Sequence, residues 1–185
     1  MGKLIYFTPV SLDGFIGDGN YDWGPAPDDE VMASINDLVR PIGAQLLGRR
    51  QHETMAVWQT PEVMPGLTPA AMEFAQIWQG ADKIIYSKSL ESLTFPKARL
   101  EREFDPQAVR DLKAKAPRDI MVGGPNLAAQ AIRAGLVDEY HLMIVPFILG
   151  GGIRVLPGDI SMNLELKDER RFGNGWVYLR YRTQV

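Results

Sequence analysis

The sequence predicts an α/β fold of three layers, α/β/α: one domain over residues 1–185, with a mainly parallel mixed central sheet that finishes in an antiparallel hairpin. Three observations predict it. Short apolar runs rich in Ile, Val, Leu and Tyr alternate with segments whose apolar residues recur at helical spacing, the pattern of a parallel sheet covered on both faces. Two of those runs, residues 45–48 and 119–125, pass through glycine straight into a helical segment. Near the C-terminus, residues 164–171 and 176–182 flank Phe172-Gly173-Asn174-Gly175, where Asn-Gly between two strand-like segments marks a hairpin.

Each element follows from local chemistry. Residues 3–10 form the first strand, since Leu4-Ile5-Tyr6-Phe7 is a continuous apolar run. Residues 11–20 are a loop punctuated by Gly14, Gly17 and Gly19. Asp28-Asp29-Glu30 opens a helix whose apolar side carries Val31, Ile35, Leu38 and Val39. Acids at a helix start cap free N–H groups and suit the dipole. A short strand over 45–48 then enters a helix over 49–57. A loop over 61–69, a helix over 70–78, a strand over 82–87 and a weaker strand over 100–104 follow. Asp105 caps a helix over 105–116, with Pro106 in its first turn. The strand over 119–125 leads into a helix over 126–134 that Gly135 stops. A long apolar strand over 137–149 runs to Gly150-Gly151-Gly152.

Composition narrows the function. Twenty basic and 23 acidic side chains leave a charge of −3, so no general electrostatic attraction to nucleic acid or to an anionic membrane is expected. An anionic ligand must be held by a local site. The absence of cysteine removes disulfides, thiolate metal sites and cysteine nucleophiles. His52 and His141 lack ligand spacing, so no metal is expected. Met1-Gly2-Lys3-Leu4 enters a strand directly, with no charged-then-apolar leader, and no stretch is apolar for long enough to span a bilayer. The expected location is cytoplasmic.

The glycine junctions are the candidates for ligand chemistry. At Gly123-Gly124-Pro125-Asn126, two glycines let a ligand approach the backbone, and the free N–H groups of the helix start favour a pyrophosphate. The plainer reading is a tight turn. At Gly48-Arg49-Arg50-Gln51, two guanidinium groups stand at a helix start, where positive charge opposes the dipole. A ribose 2′-phosphate would explain them, and two solvated arginines are the plainer reading. The occurrence of two such junctions in one chain favours function.

Taken in order, Ser11-Leu12-Asp13-Gly14-Phe15-Ile16-Gly17, Leu47 to Thr54, Ile84-Ile85-Tyr86-Ser87-Lys88, Ile120 to Pro125, and Val137 to Pro146 followed by Leu149-Gly150-Gly151-Gly152 resemble the dihydrofolate reductase superfamily. Within it, the chain is most similar to the C-terminal reductase domain of the riboflavin-biosynthesis deaminase-reductase and its stand-alone bacterial relatives. The resemblance covers essentially the whole chain. It implies NADPH as cofactor, a small heterocyclic substrate and a homodimer. Gly48, Arg49, Arg50 and Gln51 match the segment that holds the 2′-phosphate and pyrophosphate, and Ser87 and Lys88 the strand end near the adenine ribose. Gly123, Gly124, Pro125 and Asn126 match the turn beneath the pyrophosphate. Residues 11–17, with Gly17 at their end, match the loop beside the nicotinamide, where Asp13 either touches substrate or caps a turn.

Dihydrofolate reductases proper carry a carboxylate at the start of the first helix, shortly after a Trp. Trp23 precedes Asp28 here, so Asp28 is the candidate proton donor, weighed against the commoner role of a helix cap. Gly48-Arg49-Arg50-Gln51 stands where the riboflavin enzymes carry a glycine-rich turn, so the resemblance does not fix the substrate. Tyr21, Trp23, Trp58 and Trp78 are candidate walls for a planar ring, or core aromatics. The expected reaction is hydride transfer, as in 5-amino-6-(5-phosphoribosylamino)uracil reduction. The alternatives are dihydrofolate reduction and a non-catalytic nucleotide-binding dimer.

Overall fold

Residues 1–17, 26–93 and 95–184 are described by the computed structural model. Their main sheet has eight strands in the order β5-β4-β3-β6-β1-β7-β10-β9. In chain order the strands are β1 (Leu4–Ser11), β2 (Phe15–Ile16), β3 (Ile42–Gly48), β4 (Asp82–Tyr86), β5 (Ala98–Glu101), β6 (Asp119–Gly123), β7 (Glu139–Val145), β8 (Ile153–Arg154), β9 (Leu164–Arg171) and β10 (Val177–Thr183). The helices are α1 (Asp29–Val39), α2 (Arg49–Met55), α3 (Pro69–Gly80), α4 (Pro106–Lys115) and α5 (Pro125–Arg133). Strands β5 to β7 run parallel, and β10 joins β7 and β9 antiparallel. The predicted mixed sheet with a terminal hairpin is the fold observed.

The alternation along β1 builds both cores. Leu4 and Tyr6 pack with Val109 of α4 and with Leu127, Ala128, Ala131 and Ile132 of α5. Ile5 and Phe7 face the other way, onto Ile35 and Val39 of α1. A second cluster on that side joins Leu47, Trp78 of α3, Ile85 and Phe95 with Met55 of α2. The chain leaves β1 and β3 into helices on one face, and leaves β6, which lies between them, into α5 on the other. Helices departing to opposite faces open a crevice at the C-terminal strand ends, where open α/β sheets bind ligands. Pro9 fits this opening. The last β1–β6 pair is Tyr6 with Val122, so at Pro9 the strand pairs only with β7. A residue without an N–H is tolerated there.

Several boundaries differ from expectation, each for a local reason. β7 ends at Val145 rather than at residue 149, because Pro146 cannot continue the ladder and the following residues turn back toward β1. α2 ends at Met55 and tightens into a 3₁₀ turn over Ala56–Gln59. β5 lies at Ala98–Glu101, ahead of the expected 100–104. The short pair β2–β8 is too brief to show any periodicity. The hairpin turn closes with the N–H of Gly175 on Phe172 O and the N–H of Phe172 on Trp176 O, and Gly175 alone takes positive φ. That is a three-residue loop with a glycine bulge, not a two-residue Asn-Gly turn.

Candidate active site

Three turns stand side by side at the C-terminal edge of the sheet. Leu47 pairs with Gly123 across β3 and β6, and Gly48 with Tyr86 across β3 and β4. The Gly48, Ser87 and Gly123-Gly124 turns therefore leave adjacent strands at the same height. The two glycine junctions open onto one edge, as the ligand reading requires.

The first turn carries the arginines. Gly48 is the N-cap residue of α2 at φ −72°, and a Cβ built there meets only Leu127 Cβ, at 4.0 Å. Arg49 reaches across to the next turn: its Nε donates to Glu53 Oε1 at 2.7 Å and its Nη1 to Ser89 Oγ at 2.9 Å. Arg50 is exposed and makes no hydrogen bond or ion pair among the described residues. Gln51 points inward and lies against the second glycine turn.

That turn explains its own glycines. A Cβ on Gly123 falls 2.9 Å from Leu47 Cδ2, so that β3 side chain fills the space, and Gln51 Cγ of α2 lies against it at 3.4 Å. Gly124 takes φ +90°, a left-handed conformation that favours glycine. Close packing by Leu47 and Gln51 is thus one reason for the pair. The N-terminus of α5, with Pro125 in its first turn, has no side-chain cap and points to the shared edge, leaving N–H groups for an anion.

At the end of β4, Ser87 lines the cleft beside Lys88 and also holds its own turn. It is buried, and its Oγ accepts from the N–H groups of Ser89 and Leu90 at 3.3 and 3.0 Å. Arg102 Nη1 fastens the same turn through Ser87 O and Leu90 O. Ser87 shapes the turn, while Ser89 presents its hydroxyl to Arg49. No sequence signal singled out Ser89, because it meets α2 only through the sheet. Lys88 is exposed, 3.4 Å from Glu103 Oε1. Behind this turn lies a cleft of about 370 Å³ walled by Tyr86, Phe104, Leu127 and Gln130, with Lys88 and Arg102 at its rim. The Tyr86 and Phe104 rings are 5.7 Å apart, and burial pushes the Tyr86 hydroxyl up to about 12. The cleft therefore sets two aromatic rings and a neutral phenol among polar groups, with Glu103 as well as Lys88 and Arg102 on its lining. Phe104 and Gln130 were also missed, since neither belongs to a strand–glycine–helix junction.

Both candidate proton donors are engaged in hydrogen bonds to backbone N–H groups. Asp28 is exposed and is the N-cap of α1, with Oδ1 accepting the N–H of Val31 at 2.9 Å. Asp13 accepts from Ser11 Oγ at 2.6 Å, from Leu149 N at 3.0 Å and from Gly150 N at 2.8 Å. The Ser11 hydroxyl and these amides hold its carboxyl at about 2, so it has no proton to give near neutrality. Gly17 is half-buried at the end of this loop. Asn126 is exposed in the first turn of α5. Trp78 is buried in the core and walls no cleft, whereas Trp58 packs edge-on to Phe74 with centroids 4.8 Å apart. Tyr21 and Trp23 lie outside the described residues. Among the described residues no group of three potential metal ligands comes together, and no helix is long and apolar enough to cross a membrane.

Comparison with known proteins bears on the family and the fold. Residues 2–178 match the model of the RibD C-terminal domain. YyaP, an uncharacterized protein of Bacillus subtilis (strain 168), is 28% identical over 194 residues, covering 97% of this chain and 94% of YyaP. A structure described as a riboflavin biosynthesis protein of Shewanella sp. PV-4 superposes with a TM-score of 0.74 at 19% identity, over 99% of each chain. Dihydrofolate reductase from Enterococcus faecalis, solved with NADP(H), superposes with a TM-score of 0.67 at 14% identity, over 100% of this chain and 98% of the reductase. With a family match along nearly its whole length, the chain belongs to the RibD C-terminal domain family of reductases.

Proposed function

We propose that this protein is an NADPH-dependent reductase that delivers hydride to a carbonyl or imine-like carbon of a small heterocycle. The observation that carries the reading is the alignment of three turns on one edge, with Arg49 bridging two of them. The residues fit a phosphorylated dinucleotide. Arg49, Arg50, Lys88 and Ser89 would hold a 2′-phosphate, and the Tyr86–Phe104–Leu127 slot a flat base. The uncapped start of α5 beside Gly124 would take the pyrophosphate. Glu53 limits the attraction, since it neutralises part of the Arg49 charge in the absence of ligand.

When bound, the nicotinamide supplies the hydride, and the chain supplies position and charge. The proton would come from solvent or from substrate. In a reduction like that of 5-amino-6-(5-phosphoribosylamino)uracil, the acceptor would be the imine carbon formed when the aminosugar ring opens, and the hydroxyl freed by opening is itself a proton source. The test is thermal stabilisation by NADPH against NADH, repeated with Arg49→Ala and Arg50→Ala. A ligand that binds the native state raises its melting temperature. NADPH should give the larger shift in the parent, and the difference should shrink in the variants. Equal shifts in the parent would remove the 2′-phosphate role.

The same reading includes a homodimer. Leu142 of β7, Leu179 of β10 and Leu166 of β9 lie on one face of the sheet, linked by the pairs Leu142–Leu179 and Tyr181–Leu166. Leu166 is 46% exposed, and nearby Met162, which touches Tyr140, is also exposed. A partly apolar face of this kind, with Glu169 opposite Leu179, is where a second copy would pack. Leu166→Lys should yield a monomer in analytical ultracentrifugation, and a monomeric parent would remove the dimer.

A further inference from the structure

We infer that Asp13 is a positioning residue, a latch that fixes two loops together beside the reaction edge. The inference rests on the reductase reading for its consequence but not for its geometry. Its carboxylate draws three donors from two distant segments: Ser11 Oγ from its own loop, and the successive N–H groups of Leu149 and Gly150 from the loop after β7. Successive backbone N–H groups converging on one carboxylate form an anion nest, and Gly150 supplies the positive φ, +78°, that lets the chain curl around it. Ser11 Oγ in turn accepts the N–H of Phe15 at 2.9 Å.

Weaker ties surround this centre. The N–H of Leu12 donates to Phe147 O at 2.8 Å and that of Val155 to Gly14 O at 3.2 Å. β2 pairs with β8 through Phe15–Arg154 and Ile16–Ile153. A Cβ on Gly152 would fall 2.8 Å from Ile16 O, so the two loops touch backbone to backbone. Two-residue strands cannot hold this arrangement alone. The charged centre is what makes it one unit, because hydrogen bonds to a carboxylate are the stronger kind.

Position gives the latch its role. It sits at the ends of β1 and β7, whereas the Arg49–Ser89 bridge sits at β3 and β4. β1 and β4 are three strand spacings apart, roughly 14 Å. On the reductase reading, the adenosine end of the cofactor is held far from the latch, and the nicotinamide end lies beside it. Loss of the latch should therefore spare one half of the ligand and loosen the other.

The test uses Asp13→Ala, with Asp13→Asn as the milder variant that keeps an acceptor oxygen and the side-chain shape. Amide hydrogen exchange at Phe15, Leu149 and Gly150 should accelerate together, at least tenfold in Asp13→Ala and less in Asp13→Asn. The Kd for NADPH should rise about tenfold, while that for adenosine 2′,5′-bisphosphate stays within twofold. Unchanged exchange at Leu149 and Gly150 would overturn the latch, and equal weakening of both nucleotides would overturn its positioning role. A parent that binds neither nucleotide would sink the cofactor reading and the positioning role, and the exchange data would still decide whether Asp13 joins the loops.

Discussion

Substituting alanine at Gly48 and at Gly123 separates two reasons for a glycine at a strand end. Gly123 is buried, and a Cβ there would stand 2.9 Å from Leu47 Cδ2 and 3.4 Å from Gln51 Cγ. Leu47 is itself in the core and cannot swing away. An added methyl in a filled space costs about 1–3 kcal/mol, which for a chain of this length lowers Tm by roughly 2–4 °C per kcal/mol. Relief of the clash would displace Leu47, the residue just before the Gly48-Arg49 turn. Gly48 is the opposite case. Its φ of −72° suits alanine, and the added Cβ meets only Leu127, at 4.0 Å. Restricting the unfolded chain would make Gly48→Ala neutral or more stable by up to about 1 kcal/mol. If a phosphate group approaches the backbone here, that methyl stands in its way. Differential scanning fluorimetry with and without NADPH reads both effects. Gly123→Ala should lose several degrees without ligand, and Gly48→Ala should keep its Tm but lose most of the NADPH shift. A Gly48→Ala protein that binds NADPH as the parent does would refute close ligand approach at this turn.

Three further outcomes follow from the packing and the buried charges. Trp78 is 1% exposed, so Trp78→Ala should cost about 3–5 kcal/mol in denaturant unfolding; a small loss would put it in a cleft rather than in the core. His141 is buried between Glu139 Oε2 at 3.2 Å and the Tyr178 hydroxyl at 3.1 Å, and burial holds its imidazole below the usual value. The unfolded chain then takes up a proton that the folded chain resists, so stability should fall as pH drops below about 6.5. His141→Gln should flatten that part of the Tm–pH curve, and an equal slope in the variant would assign the loss elsewhere. Lys83 is buried on Trp78 O at 2.5 Å and Ala81 O at 2.9 Å, and burial lowers its ammonium to about 8. Between pH 8 and its unfolded value of about 10.4 the unfolded chain binds more protons, so stability should rise with pH in that window, and Lys83→Met should abolish the rise.

Legibility in the sequence followed the range of the interactions involved. β1, α1 and α4 were readable because their signals are local: an unbroken apolar run in Leu4 to Phe7, and the caps Asp28 and Asp105, which accept from Val31 N and Gln107 N. β2 and β8 were not, because two residues carry no period and their pairing depends on a contact between loops some 140 positions apart. The same limit divides the site. Gly48, Arg49 and Gly123-Gly124 stood out as strand–glycine–helix junctions. Ser89, Phe104 and Gln130 join the site only because β4, β5 and α5 are brought together by the sheet order. Asp13 was visible as a residue but not in its role, since its partners Leu149 and Gly150 offer only backbone N–H groups, which every sequence possesses.

The glycine pair shows how a structural requirement and a functional one come to share a position. Gly123 lacks a side chain because Leu47 and Gln51 occupy the space, which alone accounts for the residue. Yet that close packing also seats Leu47, and with it the Gly48-Arg49 turn that follows, beside the uncapped start of α5. A bulkier residue at 123 would separate the guanidinium of Arg49 from the helix end while leaving each intact. On the reductase reading, the edge would hold its anion through the spacing between α2 and α5 rather than through either turn. For that reason the ligand-free stability of Gly123→Ala and its NADPH shift should fall together, whereas in Gly48→Ala only the second should change.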